Sequence, residues 1–211
     1  MTARLDSSLK HGLLDGNATG LAGLVSHLGL HSGFPPTTGN EATGGAPAYA
    51  RKAATWAAAA ADCRALSAAV LFDVPAGFTV RCVGMWSASS GGTLRGYALA
   101  GSVATRAFGV AAADLTNNDL QSEAHGLTTN DQVLVWPTVG TGLPEPLAED
   151  TIYWVIAAGL GADSLRISTT QGGAALDVTG AGDGDIQKLV PEAFSSQGQY
   201  QVSSLSVCLP G

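Results

Sequence analysis

Hydrophobic residues recur along most of the chain in short runs with a period of two, the pattern of half-buried strands. The first segment differs. Leu5, Leu9, Leu13 and Leu14 fall about one helical turn apart, which predicts a short N-terminal helix that Asp6, Ser7 or Ser8 would cap and Gly16 would end. "LAGLVSHLGLHSG" then reads as a strand through Val25 and His27, and "FPPTTGNEATGGAPA", with its three prolines, as a loop. "YARKAATWA" and "LSAAVLFDV" alternate as strands, "VPAG" turns, and "FTVRCVGMW" places Phe78, Val80, Cys82, Gly84 and Trp86 on one face. "SASSGG" makes a hairpin-like loop before the strand "LRGYALA". Strands at this spacing, with turn residues between them, indicate an antiparallel sandwich or barrel.

One stretch resists that reading. Seven of the eleven residues from Ala53 to Cys63 are alanine, which favours a helix by propensity alone. Between strand-like flanks, the run is read as a close-packing passage whose purpose is assembly. From Ala107 the texture changes to short strands at 133–136, 151–156, 164–168 and 174–178, parted by "TTND", "GTGLPEP", "GLGAD" and "QGG". "AFSSQGQYQVSSLSVCL" then returns to the earlier pattern as a single strand. The predicted architecture is mainly β: an antiparallel β-sandwich, jelly-roll-like, over 1–106 plus 191–211, with a short N-terminal helix. A small β-domain over 107–190 is inserted in one of its loops, where insertions are best tolerated.

Composition narrows the function. Only 13% of the 211 residues are charged and 28 are glycine, against roughly 25% charged in an average soluble domain. Small residues therefore build the core, and hydroxyls and turns carry solubility, which suits compact β-structure with repeated subunit contacts. A net charge of −7 and the lack of any basic cluster beyond Arg51-Lys52 argue against nucleic acid as a partner. No run is long and apolar enough for a membrane span, and the N-terminus lacks the apolar core of a signal peptide, so synthesis in a cytoplasm is expected. Cys63, Cys82 and Cys208 are odd in number and lie in apolar strand contexts, so buried thiols rather than a disulfide framework are expected.

Several segments resemble a family. Leu30-His31 before the Pro-Thr-Gly loop, Asn40-Glu41, Gly44-Gly45, Tyr49-Ala50-Arg51, Val74 to Gly77, Val83-Gly84 with Trp86, and Gly198-Gln199-Tyr200 are similar to the small virion proteins of actinobacterial tailed phages, usually labelled tail fibre or minor tail proteins. The inserted segment resembles a β-module of phage tail and fibre proteins through "AHGLTTNDQVLVW", "LPEPLAEDTIYWVI" and "GGAALDVTGAGDG". The resemblance covers about 120 residues around the insert. It implies a non-enzymatic structural protein made in the bacterial host and carried on the virion exterior. Its partners would be further copies of itself, a trimer first, and other virion proteins of the tail or the major capsid. Capsid-surface decoration is the alternative. A second alternative is a glycan-binding receptor adhesin acting through Trp136, Tyr153 and Trp154 of the insert.

No catalytic, cofactor or metal constellation is predicted. His27 and His31 share a strand face but have no third ligand nearby, so both are read as structural. His125, before Gly126, is read as a turn residue. Asp177, Asp183 and Asp185 faintly resemble a calcium-binding repeat, but a single copy reads as a solvated acidic turn. Glu145, Glu149 and Asp150 sit among turns rather than as a glycosidase pair. The tryptophans are otherwise expected in the core.

Overall fold

The computed structural model describes residues 3–5, 20–60, 63–101, 104–112, 114–138 and 141–208. The chain is mainly β, and its strand pairs are antiparallel. It divides into two compact units, Met1–Ser102 with Val190–Gly211, and Val103–Leu189. The boundaries thus fall at 102/103 and 189/190, and Arg106, assigned to the outer domain from sequence, belongs to a strand of the inserted one.

The first unit contains β1 (Ala3–Leu5), a single helical turn α1 (Gly20–Leu24), β2 (His27–His31), β3 (Lys52–Ala53), β4 (Cys63–Ala65), β5 (Val70–Val74), β6 (Phe78–Val80), β7 (Cys82–Trp86) and β8 (Leu94–Leu99). Apart from Leu5, which ends β1, the N-terminal helix expected over 5–14 lies outside the described residues. α1 corrects the strand expected from Leu21 onward. Leu21 and Val25 are four apart, one helical turn. The Val25 amide donates to the Leu21 carbonyl at 2.8 Å, and both side chains enter the core. Five strands form one sheet in the order β1-β8-β7-β2-β3.

The stretch 78–86 is not one strand. Phe78–Val80 lies in another sheet, and at Arg81 the chain crosses over, its amide donating to the His31 carbonyl. The core face slips by one residue there: Val80 is followed inward by Val83 and Met85, while Cys82, Gly84 and Trp86 turn to the opposite face. The alternation in "FTVRCVGMW" is real on each side of Arg81 but out of phase across it.

The end of the chain also corrects its sequence reading. The single strand expected from 193 onward is three strands, β16 (Glu192–Phe194), β17 (Gly198–Val202) and β18 (Ser206–Cys208), numbered after the seven strands of the inserted unit. They run back along β6, β5 and β4 in turn. Val80 opposes Glu192, Val74 opposes Gly198, Val70 opposes Val202 and Cys63 opposes Cys208, so the register slips by a single residue along an interrupted two-stranded ribbon. Cys63 and Cys208 are joined by a disulfide, which overturns the expectation of buried thiols; of the three cysteines only Cys82 is buried outside it. Sequence separation concealed the pair, because the cysteines that the ribbon sets face to face stand 145 positions apart. The ribbon and the inner face of the five-stranded sheet share one core: Leu28, Leu30, Val83, Met85 and Ala98 from the sheet, and Val70, Phe72, Val74, Tyr200, Val202, Leu205 and Val207 from the ribbon. Within the alanine run, Ala54 and Trp56 pack against this core, while Ala58, Ala59 and Ala60 are exposed.

The inserted unit contains β9 (Arg106–Val110), β10 (Leu120–Gln121), β11 (Gln132–Pro137), β12 (Tyr153–Val155), β13 (Ser164–Leu165), β14 (Ile167–Ser168) and β15 (Gly182–Lys188). Their order is β13-β10-β9-β15-β11-β12-β14. The two outermost strands are halves of one stretch, 164–168, which pairs with β10 through its first half and with β12 through its second. The sheet therefore closes on itself around a core that includes Phe108, Val133, Val135, Tyr153, Val155, Leu165 and Ile186. Closure removes the exposed edges of an open sheet. Asp183 and Asp185, which read with Asp177 as an acidic turn, belong to the strand between β9 and β11. Gly184 must be glycine there, since a Cβ would lie 2.6 Å from both a Phe108 ring carbon and the Trp136 carbonyl. The expected strand at 174–178 is instead an extended loop held by the Leu176 amide on the Ile167 carbonyl.

Candidate functional site

A concentration of buried polar chemistry, with His31 and Arg51 buried, lies on the outer face of the five-stranded sheet, under the loop 34–50. β2 and β7 pair so that His27 faces Trp86, Gly29 faces Gly84 and His31 faces Cys82, while their alternate residues fill the core. The loop cannot form regular strand because of its prolines and glycines, yet it completes the edge of β2 beyond β3. The Ala42 amide donates to the Leu30 carbonyl, the Ser32 amide to the Asn40 carbonyl, and the Leu30 amide to the Tyr49 hydroxyl at 2.8 Å. These bonds supply the partners that covered backbone groups require.

Glu41 and Arg51 form the centre. Arg51 Nε and Nη2 donate to Glu41 Oε1 and Oε2, both at 2.7 Å, and the two side chains are 4% and 10% exposed. This is the bidentate geometry that makes arginine–carboxylate pairs strong. Arg51 Nη1 donates to the carbonyls of Ala88 (3.1 Å) and Gly91 (2.6 Å), and the guanidinium stands 3.6 Å from the centroid of the Trp86 ring. A cation over an indole face is attracted by the ring quadrupole. The Tyr49 hydroxyl donates to Glu41 Oε1 at 3.2 Å. Burial pushes the Tyr49 phenol well above its ordinary value, ahead of the opposing effect of the Leu30 amide.

His31 joins this centre from β2. Trp86 Nε1 lies 3.1 Å from His31 Nε2. An indole nitrogen can only donate, so Nε2 is the acceptor and the proton sits on Nδ1. Nδ1 then donates to Asn40 Oδ1 (3.0 Å) and to the Thr37 carbonyl (3.2 Å). The ring is fully buried, and desolvation holds its pKa below the ordinary 6.5 in spite of the Asn40 hydrogen bond and the Glu41 charge. Gly84 leaves room for this contact: a Cβ there would lie 2.6 Å from His31 Nε2 and 2.8 Å from Trp86 Nε1. Both imidazole nitrogens and both Glu41 oxygens are occupied within the chain. The cluster holds the loop on the sheet and keeps the imidazole neutral and buried.

No protein-family model, characterised protein or solved structure matches this chain. The geometry therefore stands by itself.

The residues singled out in the insert are not brought together as a sugar platform. Stacking on a sugar needs an exposed ring face. Trp136 and Tyr153 are only 1% and 2% exposed. Tyr153 packs in the core of the closed sheet and accepts a hydrogen bond from the Ala148 amide, while Trp154, on the alternate face of β12, is half-buried. His125 serves a turn: Nδ1 accepts from the Leu127 amide at 2.9 Å, and the other ring nitrogen lies 3.3 Å from the Ser164 carbonyl. Asp183 and Asp185 project from β15, and Asp177 lies in the extended loop. Among the described residues no group of His, Cys, Asp and Glu is placed to hold a metal ion. His27 is half-buried, its Nδ1 2.8 Å from the Ser26 hydroxyl.

The sequence reading weighed His31 with His27 as metal ligands and missed its actual partners as a site. Asn40, Glu41, Tyr49, Arg51 and Trp86 appear there only as carriers of a resemblance. A signal was present nonetheless: Glu41 is the only Asp, Glu, Lys or Arg between Asp15 and Arg51, and a charge retained there needs a partner.

Proposed function

We propose that this chain is a non-enzymatic structural protein of a tailed-phage virion, associated with the tail or its fibres, that assembles as a symmetric oligomer on the particle exterior. The outer unit is read as a jelly-roll-like β-sandwich, with the five-stranded sheet as one layer and the ribbon as the other. The inserted unit is the part that projects outward. One observation carries this reading. Of the positions that resemble phage virion proteins, His31, Asn40, Glu41, Tyr49, Arg51, Gly84 and Trp86 meet in a single buried cluster, in which Glu41 is bound by Arg51 and the His31 imidazole by Asn40 and Trp86. A motif spent on holding a loop to a sheet belongs to a scaffold. Exposed Ala58, Ala59 and Ala60, together with the exposed Leu71, offer small-residue contact surface for self-association.

Sedimentation of the purified chain, followed by antibody labelling of virions, tests the proposal. An oligomer and label on the tail are expected. Label confined to the heads would move the protein to capsid decoration, and a stable monomer that leaves particles unlabelled would overturn the reading.

A further inference from the structure

The ribbon has two unlike ends. At one, β6 runs directly into β7 of the five-stranded sheet. At the other, β18 reaches the chain's last described residue, and its only strand partner among the described residues is the three-residue β4. Yet this weakly paired end carries Leu205 and Val207 into the core, at 0% and 4% exposure. The Leu66 amide donates to the Leu205 carbonyl at 2.9 Å, and the last pair of the ladder is Cys208 opposite Cys63, where the disulfide lies. Cys208 is exposed and Cys63 half-buried, so small thiols and disulfides reach the bond, whereas Cys82 is buried with its thiol directed at the Gly33 carbonyl.

We propose that Cys63–Cys208 is a redox latch on the C-terminal strand. With the bond closed, β18 is fixed against β4 and Leu205 and Val207 stay in the core. With both sulfurs as thiols, the end of the ribbon is held by a ladder of three residues, the Leu66–Leu205 hydrogen bond and the burial of Leu205 and Val207, and it opens while the rest of the unit stays folded. Closure is a thiol–disulfide exchange with a small-molecule disulfide. The thiolate of one cysteine attacks that disulfide, forming a mixed disulfide and releasing one small thiol. The other cysteine, as thiolate, then attacks the protein sulfur and displaces the second small thiol. Two protein thiols are oxidised to one disulfide, and one small-molecule disulfide is reduced to two thiols, which take up the two protons. A chain made in a reducing cytoplasm would thus keep its last strand able to open, and would lock it on meeting an oxidising medium.

Hydrogen exchange read by mass spectrometry on the full chain, oxidised and reduced, tests this. Reduction is expected to speed exchange at least ~10-fold in peptides covering 63–66 and 205–208, with β2 and β7 still protected over the same interval. The Cys63→Ser/Cys208→Ser double variant, without reductant, is expected to reproduce the reduced pattern. Alkylation of the reduced native chain should label two thiols, and the third only after denaturation. Equal exchange in both redox states, or acceleration shared equally by β2 and β7, would overturn the latch. So would reoxidation that yields disulfide-linked dimers in place of monomers.

Discussion

Replacing Arg51 with methionine removes the cation from the polar cluster while keeping most of the side-chain volume. Three kinds of contact go with it: two charge-assisted bonds to Glu41, two donors to the Ala88 and Gly91 carbonyls, and the guanidinium on the Trp86 ring. The dominant cost is the Glu41 carboxylate left buried, at 10% side-chain exposure, with only the Tyr49 hydroxyl to bind it. Breaking one side of a buried ion pair costs about 3–5 kcal/mol, so about 4 kcal/mol is expected here, a large part of the roughly 5–15 kcal/mol that holds a typical domain together. Glu41→Leu strands the guanidinium instead and is expected to cost about the same. The double variant buries no lone charge, so its loss should be smaller than either single loss and far below the additive ~8 kcal/mol. Urea unfolding followed by circular dichroism and tryptophan fluorescence provides the measurement, with the slopes compared so that only midpoint shifts are read as stability. A loss below ~1 kcal/mol for Arg51→Met, or strictly additive single losses, would mean the pair is a solvated contact and the argument for a buried scaffold fails.

Further outcomes follow from the same cluster and from the closed sheet. His31 is held neutral below its ordinary pKa of 6.5, so the unfolded chain takes up the proton first. Its contribution to stability is full above about pH 6.5 and falls as the pH drops towards the folded value, by at most ~1.4 kcal/mol per unit. Comparing wild type with His31→Gln between about pH 7 and 5, the imidazole's range, checks this: the difference in stability should shrink as pH falls, and a constant difference would refute it. Gly84→Ala drives a methyl into His31 and Trp86. It is expected to cost about 2–3 kcal/mol in thermal or urea unfolding, whereas a neutral outcome would mean the rings are not fixed where they lie. Burial pushes Tyr200 to about 12 and Tyr49 higher still. An alkaline absorbance titration should therefore show both ionising only as the chain unfolds, and Tyr49→Phe and Tyr200→Phe should each remove one late proton. The inserted unit Val103–Leu189 leaves and re-enters on neighbouring strands, with Arg106 opposite Ile186. Expressed alone, it should melt cooperatively with a β-type dichroism spectrum; a non-cooperative melt would show that it depends on the outer unit.

Period-two patterning and turn residues, both local properties, were enough to mark the chain as mainly antiparallel β and to place most of the turns. The same local signals set the insert apart by texture, since 11 of the 17 acidic residues fall within 107–190. Phase between strands was beyond them. Arg81 shifts the core from even to odd positions because the chain changes sheets there, and a sheet change is a relation to distant strands that no window of sequence contains. Asp183 and Asp185 read as part of a turn because glycine and aspartate disfavour strands in isolation. Only the crowding of Phe108 and the Trp136 carbonyl against Gly184 makes glycine the required residue. The disulfide and the polar cluster belong to the same class. Cys63 meets Cys208, and His31 meets Trp86 at a separation of 55 residues, through strand register. Composition dictated that the few charges would need partners, and the tertiary structure chose them, because burial makes a charge stable only where the fold can bring its counterpart within bonding distance.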